Sequence, residues 1–200
     1  MKIESNQAYE NLRFERASTS VLHVENVLFE RCLFSHTSFK EATLQQCRFL
    51  DCSFKGGDFA MTALDGSRFS GVQFQDLRFL AVDWTKASWG AGLEAPLLFE
   101  RCELKHATFI GMDLEAWRFL DCELRDVDFR RAVLRRTIFS DTNLCGSLFQ
   151  ETDLREADLS TARNYTIAAC DNLLAGARFS LPEAMALLDQ LGIDLVMQGV

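Results

Sequence analysis

From Phe99 to Leu159 the chain reads FERCE LKHAT FIGMD LEAWR FLDCE LRDVD FRRAV LRRTI FSDTN LCGSL FQETD LREAD L, and every five-residue block opens on a large apolar side chain. Phe and Leu alternate at these openings from Phe99 to Leu154. Neither a helix, with its period of 3.6, nor a strand, with its period of 2, delivers a large residue at every fifth position. A coil of short sides, each turning one large side chain inward, does. If four sides close a coil of about 20 residues, Phe99 stacks on Phe119 and Phe139, and Leu104 on Leu124 and Leu144. Each coil then gains its stability from its neighbours, as in other solenoids.

The same phase runs outward from this stretch. All 17 Phe occupy positions ending in 4 or 9. Between Phe14 and Leu159 the phase defines 30 positions, of which 16 are Phe, nine Leu and two Trp; Thr19, Val24 and Glu94 depart from it. Two residues before most of the large ones sits a small or medium residue: Ala17, Ala42, Cys47, Cys52, Ala87, Cys102, Ala107, Cys122, Ala132, Thr142 and Ala157. Each side therefore has two inward and three outward positions. Thirty sides make roughly 7.5 coils, a rod about 36 Å long at the spacing of neighbouring strands.

Two segments disturb the pattern. Trp84–Phe99 holds Gly90, Gly92 and Pro96, and places Glu94 where a large apolar residue belongs. The phase returns at Phe99, so any insertion is a multiple of five. A distorted side and a small loop over 84–98 both satisfy this reading. The tail, 164–200, leaves the period that organises 1–163. Ser180 and Glu183 fit a capping box around Pro182, and Leu181, Ala184, Met185, Leu188 and Leu191 share one helical face. A helix over about 181–191 is expected to close the open end of the solenoid, with Gly192 as its stop. Ile193, Leu195 and Val196 add more apolar surface than a cap requires. Leu181, Met185, Leu188, Leu191 and Ile193 are therefore the expected interface of a homodimer.

Composition narrows the chemistry. A net charge of −8, from 29 acidic against 21 basic residues, argues against direct binding of nucleic acid. No apolar run approaches the roughly 18 residues of a membrane helix, and the first residues lack the apolar core of a signal peptide; a cytoplasmic protein without membrane contact is expected. Five of the seven Cys (Cys32, Cys47, Cys52, Cys102 and Cys122) fall at the small inward position, where a free thiol acts as a compact hydrophobe. Cys145 falls outward and is expected to react first. His23, His36 and His106 lie on different sides, and no phosphate-binding glycine loop or Ser–His–Asp set occurs. No enzyme activity and no cofactor are expected.

Acidic residues precede many of the large ones: Asp58, Asp83, Glu103, Asp113, Glu123, Asp128, Asp153 and Asp158. Asp83, Glu103 and Glu123 are spaced by 20, so a 20-residue coil would stack them, with Asp121 and Asp141 alongside. Stacked like charges are destabilising, so these five acids are the candidate partner-binding edge. Arg130, Arg131, Arg135 and Arg136 belong to the other two sides, with Asp113, Asp128 and Asp153 as expected partners.

Ala157-Asp158-Leu159 and Thr152-Asp153-Leu154 approach the motif A(D/N)LXX, and the chain resembles the pentapeptide-repeat family. That resemblance implies an all-β solenoid, a right-handed quadrilateral β-helix. The family consensus already places Asp or Asn before the large residue, which accounts for most acids there. The tail, with Asn164-Tyr165, Ile167, Asn172, Gly176 to Ala184 and Ile193, is similar to the endings of the Qnr quinolone-resistance, albicidin-resistance and microcin-immunity proteins. Trp84, Trp89 and Phe99–Cys102 look closest to the albicidin-resistance member. The resemblance implies a dimeric rod that binds DNA gyrase or topoisomerase IV in the place of DNA and protects it from inhibitors. DNA carries about 21 charges over 36 Å, so a chain of net charge −8 is expected to rely on a patterned edge rather than on bulk charge. The alternative is a general protein-interaction scaffold with a different partner.

Overall fold

A computed structural model of the protein describes residues 3–16, 22–89, 95–189, 191 and 193. It is an all-β parallel solenoid. Phe14, Phe34, Phe54 and Phe74 pair in succession, followed by Phe99, Phe119 and Phe139. Their rings stack at centroid distances of 4.4 to 5.3 Å, and all are buried. Among the described residues this face, here called A, is a sheet of seven strands. Face B follows in the chain, with Phe39, Phe59, Phe79, Leu104, Leu124 and Leu144 inward. Face C carries Val24, Leu44, Leu64, Trp84, Phe109, Phe129 and Phe149, and face D carries Phe29, Phe49, Phe69, Leu114, Leu134 and Leu154. The parallel pairings confirm these four columns. The inferred Phe and Leu ladders are therefore present as expected.

The small inward residues do more than fill space. Thr37, Thr62, Thr137, Thr142 and Thr152 donate their hydroxyls to the carbonyl of the large residue 23 positions earlier, at 2.8 to 3.2 Å. Cys32, Cys52 and Cys122 point their thiols at the same carbonyl one coil back, at 3.3 to 3.5 Å. Buried carbonyls require such partners, and a side chain with a short donor meets the need without enlarging the coil.

Corners are made two residues after the large one. There the backbone is left-handed even for non-glycine residues, with φ between 47° at Arg16 and 61° at Ala116. Such a conformation is unfavourable for an L-residue, but each corner N–H is anchored to the next coil, as in Asn26 to the Gln45 carbonyl at 2.9 Å and Asp121 to the Ser140 carbonyl at 2.8 Å. Gly57 is needed for a second reason: at φ 139° its Cβ would lie 2.2 Å from the Thr37 carbonyl oxygen.

Across the Trp84–Phe99 segment the register changes. Ser88 still donates to the Ser67 carbonyl at 2.8 Å, as in a 20-residue coil. Beyond it, Phe74 pairs with Phe99, Arg78 with Glu103 and Asp83 with Thr108, each 25 residues on. Five extra residues thus enter the count between Ser88 and Ala95; positions 90–94 lie outside the described residues. Before them, Trp84–Lys86 forms one 3-10 turn capped by Asp83. Trp84 stacks on Phe109 at 5.8 Å, and Trp89 packs against Trp117 at 5.3 Å. Trp117 occupies the inward position that most other sides fill with a small or medium residue.

The C-terminal end departs from expectation. Coil pairing does not stop at residue 163: Asp153 bridges Leu173 and Asp158 bridges Arg178, both at the 20-residue spacing. Asn164, in the inward phase, is instead exposed and left-handed, and Tyr165 and Ile167 enter the core. The helix is short, Met185–Asp189, after a turn at 181–184. Ser180 is not its N-cap, because the helix starts only at Met185; the Ser180 hydroxyl instead donates to the Ser160 carbonyl at 2.5 Å. Gly192, Leu195 and Val196 lie outside the described residues, as do Ala17, Thr19, Gly90, Gly92 and Glu94 of the sequence pattern.

Phe119 lies between Phe99 at 5.2 Å and Phe139 at 5.3 Å. Phe119→Ala should destabilise the protein by about 3–5 kcal/mol and exposed Arg118→Ala by less than about 0.5; urea melts showing equal effects would refute the ladder. The thiols offer a second check. Burial pushes Cys52 up to about 12, raises Cys47, and lifts Cys122 well above the usual thiol range. All five inward Cys are buried, Cys145 is half-buried and Cys170 is exposed. Cys145 is therefore not the first candidate for reaction: Cys170, past the break in the period, takes its place. Mass spectrometry after brief maleimide treatment should show Cys170 labelled first, Cys145 next, and the inward five only on unfolding.

Candidate partner-binding site

The acids that precede large residues divide into two groups. Asp58, Asp83, Asp113, Asp128, Asp153 and Asp158 each accept the backbone N–H two residues on, at 2.7 to 3.2 Å. Asn143 does the same toward Cys145 at 3.2 Å. This local turn is the habit of short Asp and Asn side chains, and it gives these residues a structural role. Glu103 and Glu123 hold the equivalent position but make no such bond.

Asp83 does not join the expected edge. The five extra residues put it on face C, bridged to Thr108 rather than to Glu103. Its carboxylate accepts from the Thr85 N–H at 3.0 Å and the Thr85 hydroxyl at 2.5 Å. The other four candidates do come together. Glu103 and Glu123 are bridged neighbours on face B. Asp121 and Asp141 are equivalent left-handed corners, with φ of 52° and 54°, where face A turns into face B. The side chains of Glu103, Asp121 and Asp141 make no ion pair with any described residue, whereas Glu123 is held by Asn143 at 2.8 Å and Arg163 at 3.5 Å.

Arginines bound this corner along the rod. On face B the column reads Arg78, Glu103, Glu123, Asn143, Arg163. Arg78 is occupied by Asp58 at 2.5 Å. At the corner before Asp121, Arg101 donates to Asp76 at 2.7 and 3.3 Å and also pairs with Glu100. The Arg101 hydrogen bond holds the Asp76 carboxyl below the usual carboxylate range.

The opposite corner, between faces C and D, is basic but internally paired. Arg130 pairs with Asp128 at 2.6 Å and Arg131 with Glu151 at 2.9 Å. On face D and its corner with face A, Arg136 pairs with Glu115, and Arg155, absent from the expected pairings, takes Asp153 at 2.5 Å. The Arg155 hydrogen bond lowers the Asp153 carboxyl below its ordinary range. Asp113 instead closes its own turn toward Glu115. A groove of about 290 Å³ lies at the C–D corner, lined by Ile110, Arg130, Arg131, Gln150 and Glu151.

Of the expected dimer residues, Leu181, Leu188, Leu191 and Ile193 are exposed, at 77%, 37%, 49% and 45%. Met185 is half-buried, and Leu187 packs back on the core. Leu173, 54% exposed, adds to the apolar residues of the C-terminal region. Among the described residues no group of three or more His, Cys, Asp or Glu is placed to hold a metal ion, and no helix is long and apolar enough to cross a membrane. Sequence reading missed Asn143, Arg163 and Arg101 as neighbours of the acidic corner. The first two follow Glu123 at intervals of 20, a signal that was present.

Two trypsin-treated forms of QnrB1, a plasmid-mediated fluoroquinolone resistance protein, align with TM-scores of 0.56 and 0.57 at 20% identity, over 96% and 97% of this chain and 99% of theirs. HetL, a pentapeptide repeat protein involved in heterocyst differentiation regulation from the cyanobacterium Nostoc, aligns with a TM-score of 0.50 at 14% identity, over 88% of this chain and 86% of its own. These likenesses are of fold. No curated protein matches the sequence. The family model for the pentapeptide repeat region matches residues 22–92 and 91–159, and the chain therefore belongs to the pentapeptide-repeat family.

Proposed function

We propose that this protein is a non-catalytic cytoplasmic binding protein that occupies the DNA-binding surface of a type II topoisomerase, DNA gyrase or topoisomerase IV, and shields the enzyme from inhibitors. The observation that carries this reading is the division among its acids. Most acids before large residues close local turns; Glu103, Glu123, Asp121 and Asp141 form a corner on which, among the described residues, only the Glu123 carboxylate is held by other side chains. The fold shared with QnrB1, described as a fluoroquinolone resistance protein, supports the choice of partner. A net charge of −8 is small beside the DNA it would replace, so recognition rests on the corner's pattern. Charge-steered binding of this kind weakens as salt rises.

Glu103→Gln/Asp121→Asn/Glu123→Gln should abolish gyrase binding and protection from a quinolone in a supercoiling assay, with stability changed by less than about 0.5 kcal/mol per site. Arg130→Gln/Arg131→Gln, on the opposite corner, should retain both. Full protection by the acidic triple variant would reduce the corner to a solvated surface. If the wild-type protein leaves gyrase untouched, the second reading stands: a scaffold for another protein, favoured by exposed Ile110 and Leu148 on face C, at 40% and 45%.

We also propose a homodimer through Leu181, Met185, Leu188, Leu191 and Ile193, since closed two-fold pairing is the commonest assembly and exposed apolar clusters mark interfaces. Two rods end to end would span about 70 Å. Leu188→Glu/Leu191→Glu should give a monomer by light scattering at micromolar concentration; a monomeric wild type would eliminate the dimer.

A further inference from the structure

The glutamate column on face B ends in a polar network that reaches the first residue beyond the solenoid's regular phase. Asn143 follows Glu123 on the same face and is 9% exposed. Its Nδ2 donates to Glu123 Oε2 at 2.8 Å, and its Oδ1 accepts from the Cys145 N–H at 3.2 Å and from Asn164 Nδ2 at 2.9 Å. Arg163, next in the column, reaches Glu123 Oε1 at 3.5 Å and the Asp141 carbonyl at 2.9 Å. The amide of Asn143 is thus fixed at both ends. Turning it over would set its oxygen against the Glu123 carboxylate and its NH2 against two donors.

Asp serves at the equivalent position in six other sides, where the side chain only accepts, from the local N–H and in most cases also from an arginine or hydroxyl. Here the side chain must also donate toward a carboxylate, which Asp⁻ cannot do. The third partner, Asn164, is where the fivefold phase ends: its φ of 60° turns the chain so that Tyr165 enters the core. A hydrogen bond to a charged group is stronger than a neutral one, so this amide constrains the pose of Glu123.

We propose that Asn143 is a positioning residue that couples the acidic corner to the C-terminal segment, the turn at Asn164 fixing the pose in which Glu123 is presented. Its consequence for partner binding rests on the topoisomerase reading; the coupling itself does not. Asn143→Asp keeps the acceptor for the Cys145 N–H while removing the donor to Glu123, so it separates positioning from fold. Asn164→Ala removes the third partner, with Asn164→Ser as the substitute if Ala disturbs folding.

The test is NMR of the full-length protein, following the Glu123 carboxyl carbon and exchange of the Asn143 side-chain amide protons. Both variants should move the Glu123 signal, and Asn164→Ala should speed Asn143 exchange about tenfold. Glu41→Gln, on a distant corner, should leave Glu123 unchanged. A Glu123 signal indifferent to Asn164 overturns the coupling. In gyrase binding, Asn143→Asp should lose affinity to the same degree as Glu123→Gln; unchanged affinity with a displaced Glu123 overturns the positioning role. A wild-type protein that binds no gyrase defeats the topoisomerase reading instead, and the resonances then decide the coupling alone.

Discussion

Each large inward side chain must lie over the large inward side chain of the next coil, and the rest of the molecule accommodates that demand. Stacking at 4.4 to 5.3 Å on face A tolerates no drift, so the chain must return to the same place after every circuit. Corners therefore accept left-handed backbone at arginine, histidine and glutamate as readily as at asparagine, since the alternative is loss of the ladder. The small inward position likewise admits residues that satisfy a carbonyl one coil away. Three outward positions per side carry little of this burden, which leaves most of the surface free to be written by something other than folding.

The ladder was legible because its side chains are large, apolar and confined to one residue in five. The hydrogen-bonding role of Thr142 or Cys122 was not, since their size alone already explained their place. The acidic corner was half legible. Glu103 and Glu123 follow from spacing within uninterrupted coils. Asp83 was misplaced for an arithmetical reason: five extra residues preserve the phase modulo five, yet move every earlier residue by one face. The tail shows a related limit. Loss of inward Phe and Leu after Leu159 ended the visible period, but backbone pairing continued to Arg178, because parallel pairing requires no particular side chain. Asn143 escaped notice because Asn and Asp share the local turn, and only the neighbour one coil away distinguishes them.

The same carboxyl group thus has two uses in this surface, and length separates them. Aspartate reaches its own backbone and becomes part of a turn. Glutamate at the same position overshoots the turn and is left to its neighbours or to solvent. On faces C and D the neighbours are arginines, and the charges close upon themselves. On the A–B corner they are other acids, and arginines appear only at the margins. The rod is consequently polarised across its width, a property invisible in its net charge.

The 25-residue coil has a consequence for the angular geometry of the rod. Each side turns the chain through a quarter circle, so five residues are equivalent to one rotation step. Had those five been spooled into the wall as another side, every face after Phe99 would be rotated a quarter turn against the faces before it. Asp83 would then sit in line with Glu103, and Asp58 and Arg78 would point elsewhere. By keeping Phe99 over Phe74, the coil preserves the alignment of the two halves, as a spline keeps two sections of a shaft in phase. The direction in which the acidic corner faces, measured from the N-terminal half, is therefore set by residues that need not touch it.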